Sequence, residues 1–580
     1  MIRLRVLVSS SLLSIGAACA SAPTIATAPG TSGARSHAPT ATSGEITAAD
    51  LMTRLYIFAD DSMLGRESGQ LGNVRGTDYI AREMRRMGLQ PAGENGTYFQ
   101  MVPLQNVAVD ARTSFVVEGA RLSLWTDVAP QLSATTRRSL EGPLPVIFGG
   151  RIGGVMASPS QSVGKLVVFL PAAPIAGERG AALPYSGSAA TARTQQQALA
   201  PFARTAAAIA YITLDSVSPT ALGRLRQPRL EIAAIPTSAA TAPVLLVTAA
   251  TARRIFGGVA VETLPPGAAG YTMNAQLAVA NTPVAFPARN VVGVLPGSDA
   301  SLRGQYVAVG AHNDHIGLTA RPLDHDSVLA NNMVVRRQGV QDTVRVPTPQ
   351  ESARIAQLRD SLTRVHGGAR ADSVNNGADD DGSGTVAMLE IAERFATAQT
   401  RPRRSLIFVS HTGEEKGLLG SQWFTDHPTV PRDSIVAQLN MDMVGRGKPG
   451  DIMGRGPNNI QLIGPRRLST QLGALIDSLN SIRTPHMDID TSFDTNGHPL
   501  NRYCRSDHYE YARYGIPITY FSLGYHTDYH QVTDEPQYID YDHMQRTATF
   551  VHDIADAVAN RPQRLVIDGP RLDPQGGCRQ

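Results

Sequence analysis

Apolar residues fall into short continuous runs and helical stripes, and the two alternate over most of the second half of the chain. Residues 306–310 (YVAVG), 406–410 (LIFVS), 435–440 (IVAQLN) and 516–521 (IPITYF) are runs suited to strands covered on both faces. Between them Met388, Ile391, Ala392 and Phe395 recur at helical spacing. Near the start, Thr47 stands where a helix cap is expected, followed by Leu51, Leu55 and Phe58 on one face. A second helical pattern covers 77–87 and stops at Gly88. This alternation predicts an α/β fold with a mostly parallel central sheet flanked by helices.

The pattern changes between 107 and 281. Short strands at 164–170 (GKLVVFL), 208–213 and 244–247 are separated by Ala-rich or polar stretches, and charged residues are sparse. This reads as a β-rich domain inserted into the α/β unit. The expected division is 46–106 with 282–562 for the main domain, 107–281 for the insert, and 563–580 for a tail. Two stretches inside the main domain, 318–374 and about 447–505, are too long to be simple connections, and the first carries a helical pattern over 351–365.

Composition and charge narrow the setting. Arg3 and Arg5 precede an apolar run over 6–18 and then small residues, the layout of a secretory signal, with cleavage after Ala20 or Ala22. Residues 1–22 are therefore expected to be a signal peptide and 23–45 a disordered linker of Ala, Ser, Thr, Pro and Gly. Gly16-Ala17-Ala18-Cys19 also resembles a lipoprotein cleavage box, with Gly16 where Leu is usual, so a lipid anchor at Cys19 stands as the alternative. Either route exports the protein, to the periplasm, the medium or an outer-membrane lipoprotein. No later segment is apolar for long enough to form a transmembrane span. The net charge of +3, with no dense Lys/Arg stripe, argues against nucleic acid as a partner. The cysteines are Cys19, Cys504 and Cys578, too few for a cysteine-based zinc module. A disulfide between the last two is permitted but not indicated; Cys504, just before Arg505-Ser506, either touches the pocket or, the preferred reading, is a small buried hydrophobe.

Polar clusters follow the predicted strands in order. They are Ala311-His312-Asn313-Asp314-His315, Gly377-Ala378-Asp379-Asp380-Asp381-Gly382-Ser383-Gly384, Gly413-Glu414-Glu415-Lys416-Gly417, Asn440-Met441-Asp442-Met443, and Tyr529-His530. Open α/β sheets bind ligands at the carboxyl ends of their strands, so these segments should converge. Imidazole with carboxylate suits zinc best among divalent metals. Five such groups, one bridging, would satisfy two ions about 3.5 Å apart with a shared water, and a further carboxylate would take that water's proton. Glu414-Glu415 divides naturally into base and ligand. Taken singly, each cluster has a plainer reading: a surface turn for His312-x-Asp314, a helix cap or calcium loop for 379–381, a solvated pair for the glutamates, a structural His530. Their joint occurrence at successive strand ends outweighs those readings.

These blocks, with Leu418-Leu419-Gly420-Ser421 and Ser506-Asp507-His508, resemble the co-catalytic zinc aminopeptidases of peptidase family M28. The stretch 46–100, including Gly65-Arg66 and Met87-Gly88-Leu89, is also similar to the family's N-terminal segments. The resemblance implies two Zn2+ ions bridged by Asp380, with His312 and Asp442 on one and Glu415 and His530 on the other. It implies Glu414 as general base, Asp314 as the residue that orients His312, and Tyr529 as a hydroxyl near the oxyanion. The implied activity is removal of N-terminal residues from peptides or proteins. Glutaminyl cyclisation or carboxypeptidase action on the same scaffold, and a catalytically silent binding protein, are the alternatives; the complete ligand set speaks against the last. Ser506, Asp507 and His508 are adjacent in sequence and cannot adopt triad geometry without other partners. His315, His325 and His508 rank below the five chosen ligands. The insert resembles a protease-associated domain, and the 318–374 excursion is expected to form a lid or wall over the site.

Overall fold

Side chains alternate across each pleat, so a strand buried on both faces feeds two cores at once. Within Tyr306–His312, Val307, Val309 and Ala311 enter one core and Ala308 the other; within Ser405–His411, Leu406 and Phe408 oppose Ile407 and Val409 in the same way. The computed structural model describes residues 40–133, 137, 139–173, 189–233, 241–337, 345–448, 451 and 456–580. The expected signal peptide, the Cys19 box and most of the expected linker lie outside these residues.

The main sheet runs, strand by strand, Gln90–Pro91, Ala288–Leu295, Ser405–His411, Tyr306–His312, Ile435–Met441, Ile518–Ser522, Asn459–Ile463 and Asp488–Asp490, with Phe99–Val102 also on Ala288–Leu295. The sheet is mixed. Ser405–His411, Tyr306–His312, Ile435–Met441 and Ile518–Ser522 are mutually parallel, while Ala288–Leu295 and Asn459–Ile463 join them antiparallel on either side. The four parallel strands end on one edge, which is where the polar clusters begin.

Helices Ala48–Phe58, Leu71–Arg86, Gly384–Thr397 and Tyr541–Asn560 supply the larger core on one face. Thr47 caps the first of them, its side chain accepting from the Asp50 amide. The second helix begins at Leu71 rather than 77: Gly72 and Gly76 are weak helix formers that hide its first turns from a propensity reading. Leu419–Asp426 and His508–Ala512 pack towards the other face.

A separate eight-stranded sheet lies between Ser114 and Leu277, with its own apolar clusters on both faces. A three-stranded sheet, Arg229–Ile232, Leu104–Val109 and Val279–Pro283, brings together the two chain segments that lead into and out of it. The 318–374 excursion is a ribbon, Leu318–Asp324 with Ala371–Val374, carrying helices His325–Val335 and Pro349–His366. Among the described residues no helix is long and apolar enough to cross a membrane.

Candidate metal centre

The centre is assembled by backbone fasteners before any donor is placed. Asp381 accepts the His312 amide on Oδ2 and the Gly384 and Met443 amides on Oδ1, so one carboxylate ties together two strand ends and a helix start. Asp379 accepts the Gly445 amide and the Ser383 hydroxyl. Asp534 receives the amides of Asp379 and Asp380, and Arg446 lies 3.7 Å from it. Of the three consecutive aspartates, only Asp380 reaches the donor cluster. Asp379 and Asp381 thus serve main-chain amides, as in a capping turn, while Asp380 stands among the candidate metal donors. Gly384 must be glycine here, because a Cβ would sit 2.3 Å from Asp381 Oδ1 and 2.4 Å from the Met441 carbonyl.

The donors form two adjacent groups. His315, Asp380, Glu415 and His530 make one and His312, Glu414 and Asp442 the other; within each, the facing atoms all lie within 4.8 Å of one another. Asp380 stands between them. Its Oδ1 is 3.2 Å from His312 Nε2 and its Oδ2 is 3.0 Å from His530 Nε2. His312 Nε2 is 3.7 Å from Asp442 Oδ1, and His530 Nε2 is 3.0 Å from Glu415 Oε2. The structure therefore brings together all five ligands expected from sequence, together with Glu414.

Asp314 does not hold His312 by its carboxylate. The Nδ1–H of His312 donates to the Asp314 main-chain carbonyl at 3.0 Å, while Asp314 Oδ1 is 3.7 Å away and instead accepts the Glu414 amide at 3.1 Å. A carbonyl can only accept, so the proton sits on Nδ1 and the Nε2 lone pair faces Asp380 and Asp442. Tyr529 stacks its ring on His530 with centroids 3.9 Å apart. His530 has a positive φ of 57°, the left-handed backbone that a non-glycine residue adopts at a cost, here at the tip of the loop that delivers it.

Burial and crowding set the electrostatics. His312 Nε2, His530 Nε2 and Glu415 Oε1 are buried without a hydrogen-bond partner. Burial opposes ionisation of Asp380, but the His312 and His530 imidazoles against its two oxygens hold its carboxyl well below the usual range. Burial pushes the Glu414 carboxyl well above its ordinary value; His312 opposes this, while the nearby Asp442 and Glu415 carboxylates add to it. Burial also pushes the Tyr529 hydroxyl up, with Asp380 and Glu415 adding to the effect. Buried imidazole and carboxylate atoms with no partner, in groups of this size, fit divalent zinc.

Several residues that support the site carry no local sequence signal. Tyr520 donates to Asp442 Oδ2 at 3.3 Å, and Arg502, fully buried, donates to Tyr520 at 2.8 Å. Arg66 donates to the Phe58, Asn376 and Gly377 carbonyls, fastening the N-terminal helix region to the Asp380 loop, and burial brings its pKa down to about 10. Only the Gly65-Arg66 resemblance pointed towards it. Ser506, Asp507 and His508 face different partners: Ser506 accepts from Asn440, Asp507 lies 3.5 Å from His411, and His508 stacks on Tyr520. They form no triad. Cys504 is joined to Cys578 in a disulfide, a pairing the sequence left open.

A family model, Peptidase family M28, matches residues 290–555. Leucine aminopeptidase 1 of Paracoccidioides brasiliensis is 32% identical over 198 residues, covering 31% of this chain and 48% of the relative. Leupeptin-inactivating enzyme 1 of Streptomyces exfoliatus is 38% identical over 86 residues, 14% of this chain and 20% of the relative. The chain thus spans about half the length, or less, of these curated relatives. Among solved structures, an aminopeptidase from Aneurinibacillus sp. strain AM-1 aligns with TM-score 0.46 and 14% identity over 91% of this chain and 97% of its own. A zinc aminopeptidase from Bacillus subtilis aligns with TM-score 0.44 and 15% identity over 90% and 97%. Residues 290–555, a little under half of the chain, are thus similar to peptidase family M28.

Proposed function

We propose that the protein is an exported zinc-dependent exopeptidase that removes N-terminal residues from peptides and proteins, using two zinc ions and Glu414 as general base. The observation that carries this reading is the convergence of Asp380, Glu414, Glu415 and Asp442 with His312 and His530, several of their atoms buried and unpartnered. Ionised together, those carboxylates concentrate negative charge in a poorly solvated spot, at a cost that two divalent cations would offset. The match of residues 290–555 to the family model and the names of the curated relatives, leucine aminopeptidase among them, support the choice of reaction.

In this reading Asp380 would be shared by both ions, His312 and Asp442 would hold one with it, and Glu415 and His530 would hold the other. Bound zinc supplies Lewis acidity, lowering the pKa of water and polarising a carbonyl. Glu414 takes a proton from the attacking water on its carboxylate and returns it to the leaving amine. The Asp314 carbonyl keeps His312 in the tautomer that presents Nε2. The Tyr529 hydroxyl, carried on the ring stacked against His530, would hold a developing oxyanion. The 318–374 excursion walls one side: Asn332 donates to Asp528 and Thr533, in the loop that carries His530. We read the eight-stranded unit as an inserted domain similar to protease-associated domains. The Cys504–Cys578 disulfide fits export to an oxidising compartment.

A panel of amino-acyl chromogenic substrates and N-blocked peptides tests the reaction. Free N-termini should be hydrolysed and blocked ones spared; cleavage of blocked peptides alone would sink the aminopeptidase reading. Glu414→Gln should lower kcat by ~100- to 10,000-fold with zinc content unchanged. An unchanged rate would remove Glu414 as the base.

A further inference from the structure

We propose that His315 is itself a metal ligand, binding through Nδ1, so that the ion held by Glu415 and His530 has four protein donors instead of three. This rests on the two-zinc reading above and adds a donor that the family resemblance does not imply. His315 is wholly buried, and neither ring nitrogen has a hydrogen-bond partner. Nδ1 lies 2.7 Å from Glu415 Oε1, yet both atoms are unpartnered, so the two are close without pointing at each other. Such a pair is what two donors aimed at a common centre look like.

The distances agree with that centre. Zinc bonds of about 2.0–2.1 Å in a tetrahedron set donors roughly 3.3 Å apart. Here the separations are 2.7 Å from His315 Nδ1 to Glu415 Oε1, 3.0 Å from His530 Nε2 to Asp380 Oδ2 and to the other Glu415 oxygen, Oε2, and 3.9 Å from His315 Nδ1 to Asp380 Oδ2. The ring is wedged in this orientation. The His315 amide donates to the Arg66 carbonyl, the imidazole stands edge-on to His530 at 5.4 Å, and Gly377 leaves it room: a Cβ there would come within 2.6 Å of the ring.

A second histidine cluster shows the contrast. His325, Asp372 and Glu535 also have donor atoms close together, but His325 Nε2 is properly bonded to Glu535 at 2.7 Å and the Arg370 guanidinium occupies its Nδ1 side. Those groups satisfy one another and leave nothing for a cation. His315 is not satisfied. Coordination through Nδ1 keeps the ring proton on Nε2 and breaks no bond. Four protein donors would close the ion at Glu415 and His530, leaving the position open to substrate on the His312–Asp442 side, beside Glu414.

The test is metal retention by the full-length protein, read without turnover. Apo protein is reloaded with Zn2+ or Co2+ and titrated with a competing chelator, for wild type, His315→Ala and His315→Gln. Wild type should bind two ions. Both variants should lose affinity at one site by more than ~100-fold, beyond the roughly 10–100-fold typical of an outer-shell partner. The Co2+ absorption of the tighter site should change as well. Two ions retained with wild-type affinity and spectrum in both variants would overturn the assignment of His315. Fewer than two ions in wild type would instead overturn the two-zinc reading on which it rests. Should the variants misfold, cadmium NMR of wild type with isotopically labelled histidine decides: coupling to a third imidazole, through Nδ1, supports the ligand, and coupling to two alone overturns it.

Discussion

Asp372 is a carboxyl whose surroundings work against its charge. Burial raises it to about 6, and the nearby Glu535 and Asp61 add to the shift, against the Val374 amide that it accepts and His325. A raised carboxyl binds its proton more tightly folded than unfolded, so the folded state loses stability as pH rises from the ordinary 3.8 through about 6. Asp372→Asn keeps an acceptor for the Val374 amide and removes this penalty. The variant should therefore gain on wild type between pH 5 and pH 7.5, by about 1 kcal/mol or less after solvent screening, in parallel urea denaturations. An equal difference at both pH values would exclude the effect. At the same scale, His312, Asp380, Glu415, Asp442 and His530 were legible in sequence because each follows a strand. Asp534 and Tyr520 were not, since a lone Asp or Tyr carries no spacing and acquires its role only through what it touches.

At the scale of elements, the four parallel strands present their carboxyl ends together, and Asp381 ties two of those ends to the start of Gly384–Thr397. The same helix is fastened on its far side by Arg54, buried and bonded to Glu390, Glu393 and Glu83. Arg54→Ala leaves the buried Glu390 without its cation, while Glu83 and Glu393 keep Arg86, and should cost about 3 kcal/mol in denaturant unfolding. A loss under about 1 kcal/mol, as for a surface pair, would show the network to be dispensable. The Cys504–Cys578 disulfide closes a separation of 74 residues next to Arg502, the residue that supports Tyr520 and through it Asp442. Chain entropy assigns such a loop about 4 kcal/mol. Cys578→Ser should lower stability by up to that amount under oxidising conditions and leave the reduced proteins alike. Strands and helices of this kind were readable from periodicity. The antiparallel flanks of the sheet were not, because a buried apolar run has the same pattern in either direction.

At the scale of the whole molecule, carboxylates gathered in one buried centre make folding depend on the cations that neutralise them. A ligand that binds only the folded state stabilises by mass action, by about 4 kcal/mol at a thousandfold excess over Kd. Chelation should accordingly lower Tm and zinc should restore it, while magnesium, which prefers oxygen donors and keeps its water, should not. Calorimetry with and without chelator measures this, and a Tm indifferent to chelation would count against a metal centre.

By itself the sequence determined the alternation of strand and helix, the order of the polar clusters and the chemical type of each donor, because periodicity and residue identity are local properties. Tertiary structure alone decided which atoms of those residues converge. It turned Asp380 inward while committing Asp379 and Asp381 to backbone amides, gave His312 the Asp314 carbonyl rather than its carboxylate, and carried His315 from the margin into the donor group. Those choices rest on contacts between segments far apart in the chain, where burial strips away water and leaves each polar atom dependent on the partner the fold supplies.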